Sequence, residues 1–150
     1  MKSQICQVAI IENHPLVREA LYKAINGMAG FQTAGVSSDE DDYFAMEISL
    51  RHDVLILSDI PDIILFDLEN VIANDLQALK TVREKLPAVP ILALTDSRST
   101  DQEKQILEYG ANVVLAKDFT NDVLFEALFR LRQRSSGESL LVSKVEQAIY

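Results

Sequence analysis

Short apolar runs alternate with amphipathic stretches along most of this chain. Five such runs occupy residues 5–11, 31–36, 63–66, 90–95 and 112–117, and polar or charged residues close most of them. Continuous apolar runs of this length are typical of strands buried on both faces, as in a parallel sheet. The stretches between them carry apolar residues at helical spacing. The alternation therefore predicts an α/β fold in which helices cover both faces of a parallel sheet.

The ends of the predicted helices carry capping signals. Pro15 suits the first helical position after a cap at Asn13 or His14, and Gly27 can end that helix. Gly110 suits a left-handed helix end further along the chain. The five predicted helices cover, approximately, residues 15–26, 38–51, 76–86, 100–109 and 121–134.

One apolar run, Val54–Leu57, does not fit the alternation, because it and residues 63–66 crowd into a space that needs only one strand. At this length, periodicity does not distinguish an extra edge strand from a helix extension or a docking ridge. The acidic residues 37–42 before it suggest calcium binding, but they lack the ligand order of an EF-hand. A serine cap followed by acids at a helix start explains them better.

Composition limits the function classes. The chain has 150 residues, a length that predicts one domain over residues 1–134, then a linker and the start of a linker helix in residues 135–150. Its net charge is −9. Such an acidic segment is not expected to bind nucleic acid by itself. No apolar stretch is long enough for a bilayer and no signal peptide is visible, so we expect a cytoplasmic protein that does not contact membranes. The single cysteine, Cys6, has no zinc-type spacing to the histidines and is expected to be a buried, small hydrophobe.

Candidate chemistry collects where the predicted strands end. Glu12 and Asn13 follow the first strand, Asp67 lies just outside the third, Thr95 ends the fourth and Lys117 ends the fifth. Open α/β sheets bind ligands beyond the carboxyl ends of their strands. Each residue alone also has an ordinary explanation, since Asp and Thr are common in turns. Together they predict one crevice in which the Lys117 ammonium lies within ion-pair reach of Asp67.

The chain, from about residue 5 to residue 134, resembles the receiver domain of two-component response regulators of the NarL/LuxR branch. The similarity rests on four ordered segments: VAIIENHPLVRE at 8–19, ILFDL at 64–68, LT at 94–95 and LAKD at 115–118. This resemblance implies a flavodoxin-like (βα)5 doubly wound parallel sheet of strand order 2-1-3-4-5.

The resemblance also implies roles for the strand-end residues. Asp67 would accept a phosphoryl group from the phosphohistidine of a sensor histidine kinase, which is a known covalent role for aspartate. Lys117 would meet the phosphoryl oxygens, and Thr95 would hydrogen-bond the new group and bias a two-state surface. A bound Mg²⁺ would be held by Glu12, Asn13, Asp67 and the backbone carbonyl of Glu69. Such a domain is not an enzyme, and it would reach DNA only through a C-terminal domain that this chain does not contain.

Several departures from the family pattern predict an atypical receiver. Asn13 replaces a metal-binding acid, so we expect Mg²⁺ binding to be weak or absent. Val71 and Asp75 stand where the family usually has Pro and Gly, and Val114 stands at an aromatic position. One alternative is therefore a phosphorylation-independent pseudo-receiver that acts as a dimerisation or partner-binding module. A haloacid-dehalogenase-like phosphohydrolase is less consistent, because position 69 is Glu rather than that family's second Asp.

The last predicted helix carries two phenylalanines that its buried stripe does not explain. Leucines and alanines at helical spacing already give this helix an apolar face. Phe125 and Phe129 lie one turn apart and away from that face, although Phe125 could tuck under the first helix or the linker. Large exposed aromatics often mark interfaces. We therefore predict a contact with a second copy or another protein, centred on Phe129.

Overall fold

Seven strands and four helices lie within the residues that the structure, a computed structural model, describes: 5–12, 14–34, 46–49, 54–57, 60–68, 73–96 and 99–133. The strands are β1 (Cys6–Ile11), β2 (Phe31–Thr33), β3 (Met46–Ser49), β4 (Val54–Leu57), β5 (Ile63–Leu68), β6 (Ile91–Thr95) and β7 (Val113–Ala116). The helices are α1 (Pro15–Asn26), α2 (Ala73–Lys85), α3 (Thr100–Glu108) and α4 (Asn121–Gln133). The predicted linker and linker helix at 135–150 lie outside the described residues.

The main sheet is parallel throughout and has the order β2-β1-β5-β6-β7. Counting only the strands of this sheet along the chain, the order is 2-1-3-4-5, so the predicted fold class is confirmed. β1 and β5 lie in the interior, which is why both have long apolar runs. The order reverses between β1 and β5, and that switch point is where such sheets form their crevice.

Both faces of the sheet are covered by helices. Along β5, Ile64 and Phe66 pack into one core cluster with residues of α2 and α3, including Leu79 and Ile106. The alternate residues Ile63 and Leu65 pack into a second cluster with residues of α1 and α4. Cys6 belongs to this second cluster, and burial raises the pKa of its thiol to about 11, so it remains protonated. Two layers of helix thus cover the sheet that carries these strand ends.

The predicted helix over 38–51 is wrong for its last residues. Met46–Ser49 forms β3, which pairs antiparallel with β4 in a separate two-stranded sheet. Residues 46–49 alternate apolar and polar types, which is the period of a strand, and an apolar partner strand follows within a few residues. Val54–Leu57 is therefore a strand, but it lies in this hairpin rather than at an edge of the main sheet. The acidic stretch 37–42 lies outside the described residues.

Smaller differences concern where elements end. Asp67 is the penultimate residue of β5 and pairs with Leu94, whereas we expected it just outside the strand. His14 stands at the N-cap of α1, but its side chain makes no capping hydrogen bond. Gly110, with φ +131°, follows α3 in a conformation that favours glycine. None of the helices in the described ranges is long and apolar enough to cross a membrane.

Candidate functional site

Four of the predicted site residues lie at one edge of the main sheet. Glu12 follows β1, Asp67 is near the end of β5, Thr95 ends β6 and Lys117 follows β7. The strand register aligns these ends, since Leu68 pairs with Thr95 and Thr95 pairs with Ala116. The Lys117 backbone N–H also donates to the Thr95 carbonyl at 3.0 Å, which extends the pairing by one residue. The fold therefore brings the four positions together.

Asp67 and Lys117 form the predicted ion pair. Lys117 Nζ lies 2.5 Å from Asp67 Oδ1, and the geometry is that of an ion pair rather than of a well-directed hydrogen bond. The Asp67 side chain is 4% exposed and the Lys117 side chain 26% exposed. Because one partner is buried and the other only partly so, water screens this pair less than it screens a surface pair.

Glu12 is also buried, and the first turn of α1 holds it in place. Its Oε2 accepts a hydrogen bond from the His14 backbone N–H at 2.7 Å. The guanidinium of Arg18 donates to the Glu12 backbone carbonyl at 3.1 Å. The other carboxylate oxygen, Oε1, is buried and has no hydrogen-bond partner among the described residues. One oxygen of Glu12 thus accepts a hydrogen bond at the start of α1, and the other is buried next to the Asp67 carboxyl group.

The two carboxyl groups oppose each other's ionisation. The pKa of Asp67 is raised to about 7, because burial and the neighbouring Glu12 carboxyl disfavour the anion more than the Lys117 ammonium favours it. The side chains are close enough for one carboxyl group to hydrogen-bond the other when it carries a proton. Asp67 therefore holds its proton to a higher pH than an ordinary aspartate does. Positive charge brought to this edge would favour the ionised form.

Thr95 and Val114 are both buried. Thr95, 1% exposed, is positioned by its strand at the site edge. Val114 packs into the core cluster under α2 and α3. Receivers usually have an aromatic residue at this position, and Val114 occupies it here as a smaller, buried side chain.

Asp96 is a residue of this edge that the sequence analysis overlooked. Its Oδ2 lies 3.9 Å from Lys117 Nζ, so Lys117 is within ion-pair distance of two carboxylates, those of Asp67 and Asp96. The Asp96 side chain is 71% exposed. An available signal was its place directly after Thr95, because polar residues that follow a parallel strand point to the ligand edge.

The donor chemistry fits a hard cation in part. Glu12 and Asp67 supply carboxylate oxygens, which Mg²⁺ prefers, and the Lys117 ammonium offsets only one of these two charges. The described residues contain no group of three or more His, Cys, Asp or Glu side chains arranged to hold a metal ion. Two further predicted ligands, Asn13 and the Glu69 carbonyl, lie outside the described residues, as does Val71. Asp75, buried in the first turn of α2, lies at the helix start rather than at the strand ends.

The predicted interface residues lie on α4, away from the strand-end site. The Phe125 ring meets the buried Phe31 ring edge-to-face at 5.7 Å between centroids and stacks on Phe129 at 6.0 Å. Phe125 is half-buried, and Phe129 is 40% exposed. The Arg132 guanidinium also lies 5.6 Å from the centroid of Phe31. Phe125 thus packs on β2, whereas Phe129 ends a row of rings at the surface.

Comparisons with known proteins agree with the fold. The model of the response regulator receiver domain family matches residues 8–129. The probable C4-dicarboxylate response regulator DctR of Halalkalibacterium halodurans is 27% identical over 141 residues, which cover 90% of this chain and 57% of that protein. The nitrate/nitrite response regulator protein NarP of Escherichia coli is 27% identical, with 94% and 60% covered. The chain therefore spans somewhat more than half the length of these relatives.

Solved structures give the same fold. A LuxR-family two-component response regulator from Aurantimonas has a TM-score of 0.66 at 21% identity, covering 97% of this chain and 96% of that one. The receiver domain of a Francisella response regulator has a TM-score of 0.63 at 20% identity, covering 87% and 98%. Since the family model matches most of the chain and the strand order agrees, this chain belongs to the family of response regulator receiver domains.

Proposed function

We propose that the chain receives a phosphoryl group on Asp67 from the phosphohistidine of a sensor histidine kinase. The observation that carries this proposal is the buried Asp67 carboxylate paired with Lys117 at the switch-point edge of the sheet. An Asp67 oxygen attacks phosphorus, the P–N bond breaks, and its electron pair stays on the imidazole, which takes up a proton from solvent. Lys117 offsets the negative charge of the transferred group, and Thr95 donates a hydrogen bond to it.

Mg²⁺ is a second part of this proposal. Glu12 and Asp67, with Asn13 and the Glu69 carbonyl, would hold the ion, which supplies positive charge to the phosphoryl oxygens. Because Asn13 is neutral, we propose weaker binding than in a site with a further acid. The domain is then a regulated acceptor rather than an enzyme that turns over a substrate. Neither the pseudo-receiver nor the phosphohydrolase alternative is favoured by the comparisons.

Phosphorylation at Asp67 is directly testable. The chain, incubated with Mg²⁺ and either a phosphorylated histidine kinase or phosphoramidate, should gain the mass of one phosphoryl group, located at Asp67 by borohydride reduction and peptide mass spectrometry. Asp67→Asn should gain none, whereas the exposed Asp122→Asn should behave like the wild type. A wild-type chain that stays unmodified with every donor, or a modified Asp67→Asn variant, contradicts the proposal.

The kinase would approach over the first turns of α1. Leu16 is 76% exposed and Val17 39% exposed, and both follow the turn that holds Glu12. These side chains offer apolar surface beside the acceptor, which suits the docking of a helical partner. Kinase and receiver would meet in the cytoplasm. We propose that any DNA binding belongs to a further domain, since the relatives are longer than this chain and one of them, from Brevibacillus brevis, is a transcriptional regulatory protein.

A second proposed contact is a homodimer, or a partner complex, centred on Phe129. Phe129→Asp would place a charge at the outer end of the ring stack and should shift a dimer towards monomer by at least tenfold in dissociation constant. Light scattering over a concentration series measures the shift, with the exposed Asn121→Asp of the same helix as the control. An unchanged mass and unchanged partner binding, with an intact circular dichroism spectrum, would remove this interface.

A further inference from the structure

Lys117 lies within ion-pair distance of two carboxylates at the site edge, Asp67 and Asp96. The two pairs differ in kind. Asp67 is buried and close, with 2.5 Å between the atoms, whereas Asp96 is largely exposed and its Oδ2 lies 3.9 Å from Nζ. An exposed pair at that distance adds little stability. The position of Asp96 therefore matters more through its charge than through its bond to Lys117.

Asp96 lies on the solvent side of the site. It directly follows buried Thr95, and its side chain is 71% exposed while that of Asp67 is 4% exposed. A ligand that contacts the Lys117 ammonium lies within a few ångströms of the Asp96 carboxylate, because Lys117 Nζ is 3.9 Å from Asp96 Oδ2. Asp67 and Asp96 thus place two carboxyl groups beside the Lys117 ammonium, and Glu12 is a neighbour of Asp67.

We propose that Asp96 is a specificity-determining residue that favours cations and disfavours anionic phosphoryl donors at the Asp67 site. The inference rests on the proposed phosphoryl acceptance, and it adds a charge-based selection among donors. A donor that carries more negative charge is penalised more. A kinase phosphohistidine, whose approach is guided by protein contacts, is penalised less than a small, free dianion.

The size of the effect follows from Coulomb's law. For a ligand about 6 Å from the Asp96 carboxylate in a water-like medium, each unit of ligand charge changes affinity about twofold to threefold, depending on salt. Removing the Asp96 charge should therefore change the affinity for a dianion or a dication about fourfold to tenfold. The two changes have opposite signs.

The decisive variant is Asp96→Asn, which removes the charge and keeps the shape. At pH 7 and low salt, with Mg²⁺ saturating for each variant, kcat/KM for the dianion acetyl phosphate should rise about fourfold to tenfold. For the monoanion phosphoramidate it should rise only about twofold to threefold. Mg²⁺ affinity, followed by NMR through the amide of His14, should fall by about fourfold to tenfold. All three changes should shrink at high salt.

The exposed Asp101→Asn, in the first turn of α3, is the matched control because it makes the same change in net charge elsewhere. It should leave all three quantities unchanged. Shifts of donor use and Mg²⁺ affinity in the same direction, or no shift at low salt, overturn the role of Asp96. If no variant becomes phosphorylated, the proposed function fails, and the Mg²⁺ titration alone still decides whether Asp96 acts through its charge.

Discussion

Replacing Arg83 with methionine is expected to lower the free energy of unfolding by about 2–3 kcal/mol, the upper part of the range for breaking a partly buried hydrogen-bond network. The Arg83 guanidinium, on α2, donates to the carbonyl oxygens of Leu86, Pro87, Val89 and Gly110 and to the side-chain oxygen of Asn112, at 2.7–3.0 Å. The same Asn112 oxygen accepts the Ile91 backbone N–H at 2.8 Å. One side chain thus ties the end of α2 to the starts of β6 and β7.

Methionine keeps the aliphatic packing of Arg83 but leaves these carbonyls without their donor. Arg83→Lys should recover only part of the loss, because an ammonium lacks the planar fork of donors. Lys80→Met, at an exposed position of the same helix, should change stability by less than about 0.5 kcal/mol. Urea unfolding measures all three variants. A loss in Arg83→Met no larger than that in Lys80→Met would show that the network does not stabilise the fold.

Gly110 is part of the same arrangement. A Cβ at this residue would lie 2.7 Å from the Cβ of Arg83, and its φ of +131° disfavours any other residue. The sequence analysis assigned Gly110 to a helix end from local chemistry alone. It could not find the Arg83 contact, because the partners are 27 residues apart and a single sequence gives no distances between elements.

The predictability of the fold follows the strength of local patterns. The apolar run at Ile63–Phe66 predicted a buried strand correctly, because a strand covered on both faces has few other compositions. Periodicity does not decide the element type at Val54–Leu57, and the sequence predicts a helix over Met46–Ser49, where the structure has a strand. These short strands form because they pair with each other, which is a tertiary effect that outweighs local propensity.

The site was predictable where residue order alone places it. Parallel strands bring Glu12, Asp67, Thr95 and Lys117 to one edge, so their positions along the chain were sufficient to group them. The direction in which each side chain points was not predictable from the sequence. Glu12 turns one oxygen to the His14 N–H, and Asp96 reaches towards Lys117, and both depend on loop geometry. Sequence therefore predicted which residues meet, and the structure adds which atoms do.

Between pH 5.5 and pH 8.5, the wild-type chain is expected to lose about 2 kcal/mol of stability through Asp67 alone. The folded pKa of Asp67 is raised from 3.8 to about 7. Between these two values, the folded state holds a proton that the unfolded state releases, so stability falls as pH rises. The contribution is fully present below pH 3.8 and is fully lost above about pH 7, where the buried anion persists beside Glu12.

Asp67→Asn should remove this dependence, because the amide is neutral at every pH. At pH 8.5 the variant should be more stable than the wild type by about 2–3 kcal/mol, after allowance for the lost ion pair with Lys117. That difference corresponds to a Tm higher by about 4–12 °C. Thermal unfolding at both pH values measures it, and the pH slopes of the two proteins are then compared.

Asp122→Asn, which removes one exposed carboxylate at the start of α4, should keep the wild-type slope. Equal slopes for wild type and Asp67→Asn would mean that Asp67 is already fully ionised at pH 5.5, with Lys117 outweighing both burial and Glu12. A steeper wild-type slope would instead establish that the acceptor is held as a destabilised anion near neutral pH. A cation that binds beside this anion then offsets its charge and raises the free energy of unfolding of the whole domain. The chemistry at Asp67 is in this way coupled to the stability of the fold.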